Sequence, residues 1–157
     1  MILYHGSNGD FEQIDLSYSR PGKDFGKGFY LSADRDQALK MAQTKIEQIQ
    51  SGQPTVMAYE VDENAMNTLR VLRFDEYSED WARFILKNRN NPTDKPAHDY
   101  DIVIGPIAND RAGIQLWRFE NKDIDLPTLV RKLRYMQGLT IQYFFGTEQA
   151  IKLLKRI

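Results

Sequence analysis

Hydrophobic residues along this chain follow two rhythms: short apolar or aromatic runs bounded by turn residues, and longer stretches repeating every three or four positions. Met1-Ile2-Leu3-Tyr4-His5 predicts a strand over 1–5, cut off by Gly6-Ser7-Asn8-Gly9. Residues 6–23 hold no period and close on Pro21-Gly22, which predicts a long loop of the kind that often carries function. Gly28-Phe29-Tyr30-Leu31-Ser32 predicts a second strand. Residues 34–51 predict a helix, with an Asp34/Gln37 capping pair, Ala38, Leu39, Ala42, Ile46 and Ile49 at helical spacing, and Gly52 and Pro54 as the stop. Strands follow over 55–61 and 69–74. A helix over 78–89 is capped by Ser78 and carries Trp81, Phe84 and Ile85 on one face.

Asn90 to Pro96 reads as a loop too short to divide two domains, so 1–157 is expected to be one domain. Beyond it the pattern predicts a strand over 100–104 ended by Gly105-Pro106. A helix over 110–119 follows, capped by Asp110 and weakened by Gly113. A helix over 126–136, a strand over 140–145 and a last helix from Thr147 through Ala150, Ile151, Leu154 and Ile157 complete the chain. Strands and helices alternate without a strict βαβ rhythm, so the class is α+β.

Composition narrows the function classes. At 157 residues, 41% hydrophobic and 27% charged, the chain supports a core without staples or metals. Zero cysteines exclude disulfides, thiolate metal sites and a cysteine nucleophile, and two histidines leave little room for a His-rich metal centre. No metal is expected. No apolar run approaches ~18 residues, and no basic n-region precedes an apolar stretch, so the expectation is a cytoplasmic protein with no membrane partner. A net charge of −1 argues against electrostatically driven nucleic-acid binding.

His5, Tyr30 and Gln142 are polar positions on otherwise mostly apolar strands. Each has an ordinary reading by itself. His5 can satisfy a local carbonyl, Tyr30 can be a core tyrosine with a bonded hydroxyl, and Gln142 can be the solvent-facing member of an alternating strand. Taken together, the words around them carry more. Leu3-Tyr4-His5-Gly6-Ser7 resembles the first signature of ADP-ribosyltransferases of the poly(ADP-ribose) polymerase and diphtheria-toxin type. Phe25-Gly26-Lys27-Gly28-Phe29-Tyr30 resembles the second signature, and Gln142-Tyr143-Phe144-Phe145 before a helix resembles the third, where that family usually has Glu. Ser19-Arg20, Asp24-Phe25-Gly26 and the stretch from Tyr100 to Asp110 are similar to a little-characterised bacterial branch of the same group, and that likeness covers nearly the whole chain.

The resemblance implies a split, bent β-sandwich with peripheral helices, holding NAD as co-substrate in a cleft between two sheets. No Gly-x-Gly-x-x-Gly opens a helix here, in keeping with a fold that is not Rossmann-like. By family role, His5 would bond a ribose hydroxyl, Gly6 and Ser7 would meet the nicotinamide carboxamide, and Tyr30 would stack on the nicotinamide ring. Gly28 and Gly26 would let backbone approach the ligand. Arg20 suits the pyrophosphate by its guanidinium geometry, or is a solvated loop charge. Glutamate in place of Gln142 would put negative charge beside the ribosyl cation. Glutamine keeps the hydrogen bond and loses the charge, a difference of roughly 2–4 kcal/mol unless another carboxylate replaces it. Asp24 and Asp110 are the candidates, against readings as a turn residue and a helix cap. Glu148 lies in the first turn of the last helix, where a carboxylate suits the dipole.

Met41 stands eleven residues after Tyr30, where the polymerases place a second stacking tyrosine. Both departures favour mono-ADP-ribosylation over polymer synthesis. The implied partner is a macromolecular acceptor, protein rather than nucleic acid, in a bacterial toxin or effector that acts with an inhibitory partner when it works in its producer. Two rivals stay open: an NAD-binding pseudoenzyme, and a transferase acting on nucleic acid. His98, after a proline-bearing loop, is read as exposed and non-catalytic. Arg131, Lys132 and Arg134 are read as offsetting a helix dipole.

Overall fold

A computed structural model of the protein describes residues 1–136 and 138–157. In chain order the elements are β1 (Ile2–Ser7), a 3₁₀ turn (Leu16–Tyr18), β2 (Phe29–Ser32), α1 (Arg35–Ile49), β3 (Thr55–Glu60) and α2 (Glu63–Met66). They continue with β4 (Val71–Arg73), α3 (Glu79–Arg89), β5 (Ile102–Pro106), α4 (Asp110–Glu120), α5 (Leu126–Arg134), β6 (Ile141–Phe145), α6 (Glu148–Ile151) and β7 (Lys155–Arg156). The strands form one hydrogen-bonded series in the order β4-β5-β6-β2-β1-β3-β7, parallel between β4 and β5 and antiparallel elsewhere. Runs of helix beside a mostly antiparallel sheet make the class α+β, as expected.

The centre of the sheet is buried on both faces, and period-two alternation divides its side chains between two cores. Phe144 of β6 packs with Trp81, Ile85, Leu116, Leu129 and Leu133 under α3, α4 and α5. Its neighbour Phe145 packs with Leu3, Leu31, Met57, Tyr59, Ile102 and Ile104 on the other face. The Trp81 indole donates to the Pro106 carbonyl at 3.0 Å, tying α3 to the end of β5.

The join between β1 and β2 is thin. They share one register pair, Tyr4 with Ser32, whereas β1 pairs with β3 over all six of its residues. The series therefore divides into a β4-β5-β6-β2 half and a β1-β3-β7 half that meet at a narrow seam.

Alanine at 38 and 42, both buried in α1, lets that helix lie with its backbone directly on β1. Gly6 completes the approach, because a Cβ there would fall 1.9 Å from the Ala38 carbonyl oxygen and 2.8 Å from the Ala42 nitrogen. Asp34 starts α1 as predicted, accepting from the Asp36 and Gln37 amides at 2.9 and 3.4 Å. The stop is made by Gln50 in the left-handed region, with Gly52 (φ +85°) two residues on.

Three expectations are corrected. The predicted helix after Thr147 lasts only four residues, and Lys155–Arg156 instead pair with β3, because that strand's open edge offers backbone partners a terminal helix would lack. The strand expected over 100–104 starts at Ile102 and runs through Gly105 and Pro106, whose partners are Gln142 and Ile141. A proline is tolerated at that strand end because its carbonyl is the group in use. Asn109, not Asp110, caps α4, accepting from Ala112 N–H at 2.9 Å, and Asp110 sits in the first turn.

Two glycine-to-alanine changes test this packing. Gly6→Ala must part β1 from the α1 backbone and is expected to destabilise by about 3 kcal/mol or more. Gly113→Ala, in α4 with open space around its Cβ, is expected to stabilise by roughly 0.5–1 kcal/mol. Urea unfolding of both variants checks the pair. Equal effects would show that the contact at Gly6 does not set the β1–α1 distance.

Candidate active site at the β1–β2 seam

The seam is closed by a side chain. Past the Tyr4–Ser32 rung, His5 reaches across and its Nδ1 lies 2.7 Å from the Tyr30 carbonyl oxygen. A carbonyl only accepts, so Nδ1 carries the proton and donates, which leaves Nε2 as a bare acceptor. Nε2 has no hydrogen bond among the described residues. The ring stacks on Phe29 with centroids 4.1 Å apart and meets the edge of Phe11 at 5.9 Å. Burial in this aromatic setting, helped by Lys45 and Lys23, lowers the His5 pKa from 6.5 to about 4, against the opposing pull of the Tyr30 carbonyl. His5 is therefore neutral at physiological pH.

Tyr30 is anchored by its hydroxyl. The O–H donates to the Gly26 carbonyl at 2.6 Å and accepts from the Phe25 amide at 3.0 Å, stapling the turn that leads into β2. Burial pushes its pKa well above the ordinary value. Gly26 has φ +98°, a conformation that favours glycine. Gly28 is held flush against Phe144, whose ring a Cβ there would enter at 2.2 Å, and its N–H donates to Ser19 Oγ at 2.9 Å. Above the Tyr30 ring stands the Lys23 ammonium, 5.4 Å from the centroid. Partial desolvation of its ammonium against the Tyr30 turn, with the charges of Lys45 and Arg20, lowers the pKa of Lys23, although the residue as a whole is exposed.

Gln142 lies opposite Ser32 on β2 and Gly105 on β5. Ser32 and Tyr30 share a face by alternation, so Gln142 stands on the Tyr30 side, one step along from the Tyr30–Phe144 pair. It is not solvent-facing: its Nε2 is buried and has no partner. An unmet buried donor is costly, and such atoms concentrate where function demands them. The other orphan, Asn88 Oδ1, faces Gly26. The His5 ring leans on Phe29 and so lies across the sheet from the Tyr30 ring; the two are joined through the Tyr30 backbone rather than face to face.

The remaining expected residues separate. Gly6 is in the β1–β3 ladder opposite Val56, and Ser7 is buried beside it with Oγ 3.5 Å from Asn8 Oδ1. Arg20 is exposed near Lys23. Asp24 is engaged elsewhere, bonded to Arg89 Nε at 2.6 Å with both side chains mostly buried, so its charge is already matched. Arg89 also lines an open cleft of about 420 Å³ with Asn109, Asp110 and Trp117. Asp110 is in α4 and Glu148 is in α6. Met41 is half-exposed on α1.

His98 is not exposed as expected. It packs among Phe84, Tyr100 and Phe144, its Nε2 donates to the Phe25 carbonyl at 2.8 Å and its Nδ1 accepts from the Tyr100 amide at 3.1 Å. Both nitrogens are occupied, which gives it a supporting role behind the Tyr30 turn. Arg131, Lys132 and Arg134 fall in the last turn of α5, where they oppose its dipole. Sequence reasoning missed Lys23, Lys45 and Arg89, none of which lies in a recognisable word, and gave Ser19 of the Ser19-Arg20 word no role. Among the described residues no three His, Asp or Glu side chains converge as metal ligands, and no helix is long and apolar enough to cross a membrane.

A family model described as a protein of unknown function (DUF3990) matches residues 1–156. The chain belongs to the DUF3990 family. No curated protein and no solved structure matched in the same comparisons. The family's description assigns no chemistry to the site of this DUF3990 chain.

Two measurements test that geometry. Unfolded His5 takes up a proton near pH 6.5 and folded His5 only near pH 4, so the unfolded state binds more protons between those values. Stability is then full above pH 6.5 and falls by about 3 kcal/mol as the pH drops to 4, with His98 adding in the same direction. An NMR titration is expected to show the His5 ring unchanged until near pH 4; a midpoint near 6.5 would contradict its burial as a neutral ring. Tyr30→Phe removes both hydroxyl bonds and is expected to cost about 2 kcal/mol, read by thermal unfolding. A change under a few tenths would show that the turn stands without the staple.

Proposed function

We propose that the chain is an NAD-dependent mono-ADP-ribosyltransferase of the split, bent β-sandwich type. It would move ADP-ribose to a macromolecular acceptor, protein rather than nucleic acid, as a bacterial toxin or effector. The observation that carries the reading is the seam. His5 and Tyr30, from two separate signature words, meet through one hydrogen bond where β1 and β2 part, with the unmet amide of Gln142 one step away on the Tyr30 side.

The residues present fit the dinucleotide. The bare Nε2 of neutral His5 can accept from a ribose hydroxyl. The Tyr30 ring, fixed by its hydroxyl, offers a flat electron-rich face to a cationic nicotinamide ring. Gln142 brings an unmet Nε2 donor and a carbonyl acceptor, and can bond a ribose oxygen by either. NAD supplies the ADP-ribosyl group: the bond from the ribose anomeric carbon to the nicotinamide nitrogen breaks, and a bond to the acceptor nucleophile forms. Nicotinamide and one proton, from the acceptor, are released. The chain's residues hold and orient these parts, a contribution that depends on fixed geometry. Asp24 is an unsuitable stand-in for the missing glutamate because Arg89 already neutralises it. The loss of charge at position 142 also favours the second reading, an NAD-binding pseudoenzyme.

Labelled NAD incubated with the folded protein and a bacterial lysate separates these readings. The expected outcome is label on a protease-sensitive product with nicotinamide release. His5→Ala is expected to lower the rate about 100-fold, and Gln142→Glu to raise it about tenfold or more. NAD binding without release would favour the pseudoenzyme, RNase-sensitive label the nucleic-acid acceptor. Neither binding nor release would overturn the assignment.

A further inference from the structure

Lys23 stands in an unusual place. Its ammonium covers the Tyr30 ring at 5.4 Å, within the range of a cation–π contact. The four ion pairs among the described residues use Lys27, Arg83, Arg89 and Arg156; Arg20, Lys23 and Lys45 have no carboxylate within 4 Å. The charges of Lys45 and Arg20 lower the pKa of Lys23, and those of Lys45 and Lys23 lower that of His5. Three cations without a carboxylate partner thus act on one another or on His5, with Lys23 at the seam itself, in a chain whose net charge is −1. Such an arrangement is repulsive until an anion enters it.

We propose that Lys23 is a displaceable cation, resting on the Tyr30 ring in the free protein and turning to a phosphate oxygen when a dinucleotide binds. This inference rests on the NAD reading given above. The nicotinamide ring of NAD carries a positive charge, and so does Lys23, and both favour the same electron-rich face. That face holds one of them at a time, so entry of the ring requires the ammonium to leave. The two phosphate charges of the same ligand provide the place for it to go, at the end of a flexible four-carbon stem. Nicotinamide released by transfer is neutral and has lost that charge advantage over the ammonium on the ring face. Lys23 then becomes a specificity-determining residue, favouring a ligand that brings a cationic ring and phosphates together over either part alone.

The two halves of the role have opposite signs, which makes them separable. Lys23→Met keeps the stem and removes the charge, and Lys23 is exposed, so the variant is expected to fold. Nicotinamide riboside supplies the cationic ring without phosphate, and ADP-ribose supplies the phosphates without the ring. Ligand-observed NMR and calorimetry are expected to show Lys23→Met binding nicotinamide riboside several-fold more tightly and ADP-ribose about tenfold more weakly. Lys23→Arg is expected to keep the ADP-ribose affinity, and Lys132→Gln, exposed on α5, to change neither. If wild type binds NAD but Lys23→Met moves both probes the same way, or neither, the Lys23 role is overturned and the NAD reading stands. If folded wild type binds neither NAD nor ADP-ribose, both fall.

Discussion

The hydrogen bond from His5 to the Tyr30 carbonyl is the constraint on which the rest of the site depends. Backbone pairing between β1 and β2 ends after one rung, and an imidazole continues the join where a ladder would otherwise supply amides. A strand pair that separates leaves carbonyls and N–H groups unmet, and each must find a partner or face water. His5 satisfies one of them from the side. The same bond sets its tautomer, holds it against Phe29 and keeps it neutral. A residue that closes the seam is in this way prepared as an acceptor at the edge of a gap.

The second strand is prepared differently. Tyr30 spends its hydroxyl on Gly26 and Phe25, so its ring position is fixed by the turn that precedes it. That turn is itself held from outside, by Ser19 on Gly28, His98 on the Phe25 carbonyl and the Asp24–Arg89 pair leading to α3. Residues far apart in sequence therefore share one job, keeping an aromatic face in place beside the seam. Two polar atoms outside the turn lack partners among the described residues: Asn88 Oδ1, which faces Gly26, and Gln142 Nε2 on β6.

What was legible in the sequence was mostly local. Asp34, Ser78 and Thr147 each cap a helix as read, because a cap is decided by a side chain and an amide two or three residues on. The signature words picked out His5 and Tyr30 as candidates, and one hydrogen bond links the two. Contacts between distant segments were not legible. β7 depends on the free edge of β3, Asp24 on Arg89, and His98 on the Phe25 carbonyl, and no periodicity links such partners. The choice of Asn109 over Asp110 as cap turned on register: capping from Asn109 turns Ala112 and Leu116 into the core.

Position 142 shows how the fold and the chemistry compete. It lies in a central strand between β2 and β5, with its amide nitrogen out of reach of water. A carboxylate buried there would face Ser32 and Gly105, with no cation bonded to it, and burial would raise its pKa and cost stability. A glutamine leaves one donor unmet, a smaller cost than a buried charge. The free protein is therefore more stable with Gln142, while the proposed transfer would run faster with a glutamate. Lys23 presents the mirror image, since its ammonium stands over the Tyr30 ring with no carboxylate within 4 Å. The seam has the neutral amide of Gln142 at one side and the Lys23 ammonium at the other, so charge that would stabilise a ribosyl cation is missing from the first and charge that would hold an anion is present at the second. Under the proposed reading, that balance favours tight recognition of the dinucleotide over fast turnover.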